Sequence, residues 1–250
     1  GTGAVLDGFI VSGAGANSTS GLVTVTNADA WANAIEIDDQ KSIASTYAFS
    51  VLGGKATNIL VSRNNKGVFV DTNGKLVNAT IAQNTAASNF GGTLFNSIYW
   101  GNGGTVATAG TIKYCAFQTA DSDMTGMDPE NYPLHETNNL AWFTIGNVIP
   151  GPHFKDLTIG SYEALNNNAP QLGRGSQTEF DNVVTLVDAQ KDINGNPRHK
   201  EGTDIGCYED DGNIGFHLRW YSNAIYVSAR QGYKTDAPLL LPDNATQGIA

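Results

Sequence analysis

Asparagine returns at one place in a repeating frame, at Asn58, Asn78 and Asn96, and each is followed six residues later by another, Asn64, Asn84 and Asn102. The stretches read Asn-Ile-Leu-Val-Ser-Arg-Asn, Asn-Ala-Thr-Ile-Ala-Gln-Asn and Asn-Ser-Ile-Tyr-Trp-Gly-Asn, with starts roughly one β-solenoid turn apart. A weaker copy runs from Tyr114 through Cys115 and Phe117 at the same interval, and Gly8-Phe9-Ile10-Val11 is an earlier one. Self-similarity at this period means that one small unit stacks on copies of itself, which restricts the chain to solenoid architectures.

The repeat can be divided into faces by counting from the frame asparagine. Position minus two holds Leu6, Ala56, Leu76, Leu94 and Ile112; plus one holds Phe9, Ile59, Ala79, Ser97 and Cys115; plus three holds Val11, Val61, Ile81, Tyr99 and Phe117. A straight strand keeps its buried side chains on one parity. Here the mostly apolar set passes from even to odd across the asparagine, so the chain turns a corner there while still pointing side chains inward. Asparagine is enriched several-fold in the left-handed conformation that a sharp corner needs, and Gly8 fills the same slot. Short strands with a corner in each turn of about 20 residues describe an all-β parallel β-helix whose turns stack about 4.8 Å apart. Asn58, Asn78 and Asn96 are then a corner ladder, able to hydrogen-bond along the axis. Gly53-Gly54 and Gly91-Gly92, just before two of the frames, are expected to relax the preceding turn.

The frame places β-helix turns over residues 1–120. Residues 14–50 fit it poorly, with Leu22 to Thr26 as one strand of an irregular turn and a loop around Asp38-Asp39. From Asp121 the repeat fades into Pro- and Asn-rich sequence, so residues 121–210 are expected to hold the final turns and a cap over the open end of the coil. Residues 211–250 read as an extension: a strand-like stretch from Leu218 to Val227, then a linker-like Ala237 to Pro242 leading to a further module. At the other end Gly1 to Val11 is already repeat-like, with no basic or apolar leader before it, so further turns or a capping element are expected to precede it in the parent protein. The 29 glycines and only 15% charged residues suit a turn-dense β protein. A net charge of -10 argues against nucleic acid or an anionic membrane as partner. No apolar run is long enough for membrane insertion. Cys115 and Cys207 have no metal-type spacing, and Cys115 occupies an inward slot, as a small core residue outside any disulfide would.

The C-terminal half carries a second kind of signal. Asp192-Ile193-Asn194-Gly195-Asn196-Pro197-Arg198, followed by Thr203-Asp204-Ile205-Gly206-Cys207-Tyr208-Glu209, resembles the closing motif of bacterial right-handed parallel β-helix surface proteins. Cys207 stands where that family has alanine. Gly151-Pro152-His153-Phe154-Lys155-Asp156 and Asn96-Ser97-Ile98-Tyr99-Trp100-Gly101-Asn102 are similar to two further segments of the family. The resemblance implies export to the extracellular space or the bacterial outer surface, often with an anchoring module, and no single activity. Adhesin-like members are known, and the wider fold hosts polysaccharide lyases and hydrolases; a fold does not fix a function.

Chemistry on a β-helix is expected on the outward positions. After the corner these read Ile10, Leu60, Thr80, Ile98 and Ala116 at plus two, and Ser12, Ser62, Ala82, Trp100 and Gln118 at plus four, none of them charged. Before the corner, Lys55 and Lys75 fall on neighbouring turns, close enough together to meet an anionic sugar or simply to solvate an exposed face. Trp100 is the outward aromatic best placed to stack on a glycan, with burial under a loop as the alternative. Asp121-Ser122-Asp123-Met124-Thr125-Gly126 matches the first half of an EF-hand-like loop, which makes Asp121 and Asp123 candidate calcium ligands, although position twelve is Tyr132 and the glutamate is missing. An ordinary polar turn is the competing reading. Carboxylate pairing of the glycosidase kind is open to Asp204, Glu209, Asp210 and Asp211. Taken together the expectation is an adhesin-like or glycan-contacting scaffold whose partner is a polysaccharide or a host or cell-surface glycan. A polysaccharide lyase or glycoside hydrolase is the rival.

Overall fold

A computed structural model describes residues 3–12, 22–39, 46–104, 106–117, 152, 154–164, 171–173, 175–185, 187–198 and 203–209, together with the backbone of three strands beyond them. The repeat unit is a long strand: β1 (Val5–Ser12), β3 (Trp31–Asp38), β5 (Lys55–Ser62) and β7 (Lys75–Ala82) lie side by side and parallel. In the next two turns the same unit is broken in two, as β9 (Thr93–Phe95) with β10 (Ile98–Trp100), then β12 (Thr111–Lys113) with β13 (Ala116–Phe117). Short strands β2 (Val23–Val25), β4 (Phe49–Val51), β6 (Val68–Val70), β8 (Asn89–Phe90) and β11 (Ala107–Thr108) stack into a second parallel sheet. The architecture is a parallel β-helix.

The corner is where the asparagines put it. Asn58, Asn78 and Asn96 have φ of 56°, 55° and 48°, and Gly8 has 71°. A second left-handed corner ends the long strands, at Asp39, Arg63, Gln83 and Gly101 (φ 58°, 54°, 55° and 65°). It turns the following residue inward, so Asn64, Asn84 and Asn102 form the amide ladder of the coil. Asn64 Nδ2 donates to Asn84 Oδ1 at 3.1 Å, and Asn84 Nδ2 to Asn102 Oδ1 at 2.8 Å. The first-corner amides instead meet the C-terminal segment, while Asn58 Nδ2 also donates along the axis to Asn33 Oδ1 at 2.8 Å.

One full turn lies where the frame was weakest. Trp31–Asp38 pairs with β1 on one side and β5 on the other, so Asp38-Asp39 is a strand end and a corner rather than a loop. Its corner slot is filled by Ala34 (φ 50°), which stands farther from both Gly8 and Asn58 than Asn58 stands from Asn78. Both the residue and the longer spacing hide it from an asparagine frame.

Inward side chains stack by columns: Ile35, Ile59 and Ala79 in one, Ile37, Val61, Ile81, Tyr99 and Phe117 in another. Rings of Phe90, Tyr99 and Phe117 meet at 5.3 to 6.2 Å between centroids and fill the wide part of the core. The glycines before the long strands serve a different end from the one expected. A Cβ on Gly74, Gly92 or Gly110 would sit 2.2, 2.2 or 1.8 Å from a carbonyl oxygen of the turn below, so glycine is needed for backbone contact between turns, not for a special φ.

The described parts of the C-terminal segment beyond residue 151 lie along the side of the coil, across several turns. Helix α1 (Gln177–Val183) starts at Ser176, whose side chain accepts from Glu179 N at 3.2 Å. Its Phe180 and Val183, with Val184 beyond it, are buried on Val77 and Phe95. Strands β14 (Phe154–Asp156) and β15 (Ser161–Ala164) form an antiparallel pair. Farther on, the single strand-like stretch expected at 218–227 is two antiparallel strands, β16 (Phe216–Tyr221) and β17 (Ala224–Ala229), with β18 (Pro238–Leu239) beside β17.

Candidate functional site

The closing motif folds as a clasp in which nearly every polar residue holds backbone. Asp192 Oδ1 accepts from Asn194 N and Asn196 N at 2.9 and 2.7 Å, and its Oδ2 accepts from Glu209 N at 2.9 Å. Asp204 Oδ1 accepts from Gly173 N at 2.6 Å. Glu209 Oε2 accepts from Asp204 N and from Arg198 Nη1, both at 3.1 Å. Arg198 then reaches the coil, donating through Nε and Nη2 to Asn58 Oδ1 at 3.0 and 2.7 Å. The Asn78 amide is satisfied with its oxygen turned to the same guanidinium, at 2.6 Å from Nη1. Asn96 is held by backbone: its Oδ1 accepts from Ser176 N at 2.7 Å and its Nδ2 donates to Ser176 O at 3.0 Å. The corner ladder Asn58, Asn78, Asn96 is therefore the docking strip for this clasp.

Residues 204–207 run over the plus-two column. Gly206 takes φ of 105° and lies so close that a Cβ would meet Ile98 and Thr80 side-chain atoms at 2.8 Å, and Cys207 N donates to Thr80 Oγ1 at 3.1 Å. Cys207 is buried and reduced, as is Cys115. Burial pushes the Cys207 thiol up to about 12 and raises Cys115 further.

Between clasp and coil lies a cleft of ≈ 260 Å³. Thr80 and Ile98 of the coil contribute to it, Tyr162, Glu163 and Ala164 of β15 form one side, and Asn194, Asn196 and Tyr208 of the clasp form another. Gln171 and Leu172 complete it beside Asp204, Ile205 and Glu209. Glu163 Oε1 accepts from Asn194 Nδ2 at 3.0 Å, which ties the two sides together. Burial, followed by the charges of Cys207, Glu36, Glu163 and Asp192, raises the Tyr208 hydroxyl well above the usual tyrosine range.

The hidden turn also places charge on a face expected to have none: Glu36 and Asp38 take the plus-two and plus-four positions of β3. Asp38 accepts from Arg63 Nε and Ser62 Oγ, both at 2.8 Å, and a second oxygen pairs with Arg63 Nη2. Burial works to raise its carboxyl, but these hydrogen bonds and the guanidinium charge leave it below the usual range. Glu36 moves the other way, raised first by burial and then by the charge of Asp38, with Arg63 offsetting part of the rise. Its signal in the sequence was the alternation Ile35-Glu36-Ile37-Asp38, which reads as a half-buried strand without help from any repeat.

The residues proposed from sequence fare unevenly. Trp100 is 8% exposed, within the apolar cluster that holds Phe154 and Tyr162, and offers no open stacking platform. Lys55 and Lys75 do face one another on neighbouring turns, half-buried, with Lys55 Nζ 4.8 Å from the centre of the Trp31 ring. They lie on the pre-corner face, apart from the cleft. Asp204 and Glu209 are buried in the clasp. Asp121, Asp123, Asp210 and Asp211 lie outside the described residues, and with them the expected calcium loop. Among the described residues no group of three or more His, Cys, Asp or Glu is placed to hold a metal, and no helix is long and apolar enough to cross a membrane. The residues that sequence reasoning did not single out are Tyr162, Glu163 and Gln171, which enter the cleft from segments with no repeat pattern. Comparison with known proteins found no matching family model, no similar curated protein and no similar solved structure.

Proposed function

We propose that this chain is part of an exported bacterial cell-surface protein whose β-helix is a non-enzymatic, adhesin-like scaffold that contacts glycans. The resemblance of the closing motif supplies the cellular setting. The observation that carries the non-enzymatic part is the state of the carboxylates in the clasp and at the end of β3. Asp38, Asp192, Asp204 and Glu209 each accept hydrogen bonds that hold backbone or an arginine in place. A carboxylate engaged in this way has neither the freedom nor the accessible lone pair that proton transfer to a substrate needs. The test is retention of the full chain on immobilised polysaccharides, together with assays for new reducing ends and unsaturated uronides. Retention without either product is expected; product formation at a catalytic rate would reverse the reading.

One observation favours the rival, a glycoside hydrolase. Glu36 and Asp38 are two residues apart on one face, with the first raised and the second lowered. Carboxyl groups whose environments push them apart are how acid and base roles are divided in such enzymes. Loss of released reducing sugar on Glu36→Gln would establish that alternative, whereas activity from any other source would not involve this pair.

A further inference from the structure

Gln171 borders the cleft, is 4% exposed, and its side-chain Oε1 is buried without a hydrogen-bond partner. Leaving a buried acceptor unpaired costs about 1–3 kcal/mol, so native proteins seldom keep one without a use. The terminal carboxamide turns about a soft sp³–sp² torsion, which leaves its oxygen free to reorient toward a donor bound in the cleft. Around the same space are further acceptors: Glu163, and the amides of Asn194 and Asn196. Asn194 and Asn196 have their Nδ2 groups engaged, by Glu163 at 3.0 Å and by Asp192 at 3.1 Å, which fixes each amide with its nitrogen committed. Acceptors therefore dominate the polar lining.

We propose that this cleft binds one neutral, hydroxyl-rich sugar ring, and that Gln171, Glu163 and Asn194 recognise its hydroxyls. The inference rests on the glycan-contacting reading above and gives that reading a site. Sugar hydroxyls are donors, and carboxylate and amide oxygens are their complements. The rings of Tyr162 and Tyr208 and the side chains of Ile98 and Leu172 supply apolar surface for the carbon face of a pyranose. The volume of ≈ 260 Å³ is just below the about 300 Å³ at which pockets for larger ligands begin, which fits a single ring and not an oligomer. Charge selects against acids: Glu163 and Asp204 border the cleft, Glu209 there is balanced by Arg198, and Glu36 and Asp192 act on Tyr208 from close by. A uronate would bring a further negative charge into that field, whereas a neutral hexose brings none.

The experiment is saturation-transfer NMR on the full chain with the methyl glycosides of glucose, galactose and mannose and with methyl glucuronate. It is run beside retention on the corresponding neutral and acidic polysaccharides. Transfer to at least one neutral glycoside, little or none to the glucuronate, and a loss of affinity of about tenfold or more in both Glu163→Ala and Gln171→Leu are expected. Because Gln171 is buried, Asn194→Ala on the exposed side serves as a second probe if Gln171→Leu does not fold. Retention on a polysaccharide that these variants leave unchanged, or retention without transfer to any monosaccharide glycoside, overturns the site and leaves the glycan-contacting reading standing. Absence of both retention and transfer overturns both.

Discussion

Arg198 and Asn58, 140 residues apart in the chain, are joined by two hydrogen bonds from the guanidinium to a single amide oxygen. The same guanidinium donates to Gly206 O at 3.0 Å and meets Glu209 at 3.1 Å, with the two charged side chains only 1% and 0% exposed. Removing one member of such a pair strands the other charge where water cannot reach it. Arg198→Ala is expected to lower the stability to denaturant by about 3–5 kcal/mol. The double variant Arg198→Met/Glu209→Gln should lose clearly less than the sum of its single variants. Additive losses would mean that the pair is not coupled as described.

Glu36 and Asp38 should give opposite pH signatures from positions two residues apart. A folded-state carboxyl raised above 4.5 penalises the ionised fold, so Glu36→Gln should be more stable than wild type at neutral pH and equal to it well below 4.5. Asp38 is lowered below 3.8, so its contribution is present above that value and disappears as pH falls through the folded pKa. Asp38→Asn should therefore be costly at neutral pH, with a deficit that closes in acid. Thermal midpoints measured from acid to neutral pH decide both, and parallel curves for the two variants would contradict the assignment.

Ala34 is an alanine in a left-handed corner with φ of 50°. That conformation costs a residue with a Cβ about 1–2 kcal/mol, while glycine's extra flexibility in the unfolded chain costs about 0.5–1 kcal/mol. Ala34→Gly should leave the protein stabilised by several tenths of a kcal/mol to about 1 kcal/mol. At Asn78, by contrast, Gly satisfies the backbone but deserts Arg198, so Asn78→Gly should be destabilising. Equal effects at the two positions would show that backbone strain, not the amide, sets the requirement at both.

The two cysteines offer a simpler check. Both are buried and reduced, with the Cys207 thiol pushed up to about 12. A thiolate-directed reagent should label neither in the native protein near neutral pH and both after unfolding without reductant. Labelling of neither in denaturant would point to a disulfide between them.

How much of this was legible depended on whether a feature repeats. The corners at Asn58, Asn78 and Asn96 and the inward columns show in the sequence because each turn must solve the same steric problem as its neighbour. The turn at Trp31–Asp38 solves it with Ala34, at a longer spacing from its neighbours on both sides, so it broke the frame and took Glu36 and Asp38 out of view. Trp100 had the outward parity expected of it, but parity reports the side of the sheet and not what lies over that side. The clasp motif was recognisable as a motif, yet its target was not. Nothing local to Arg198 says that its partners are amides on strands formed far earlier in the chain, and the cleft exists only once those parts meet.

The clasp also bears on how the molecule comes apart. A solenoid whose turns touch only their neighbours behaves like a one-dimensional chain and can peel from either end, one turn at a time. Here one segment bonds to Asn58, Asn78 and Asn96 on three successive turns, so none of those turns can leave without releasing contacts to the others. The fasteners make a single cooperative block from units that would otherwise fray in sequence, and they place the weakest joints outside the stretch they span.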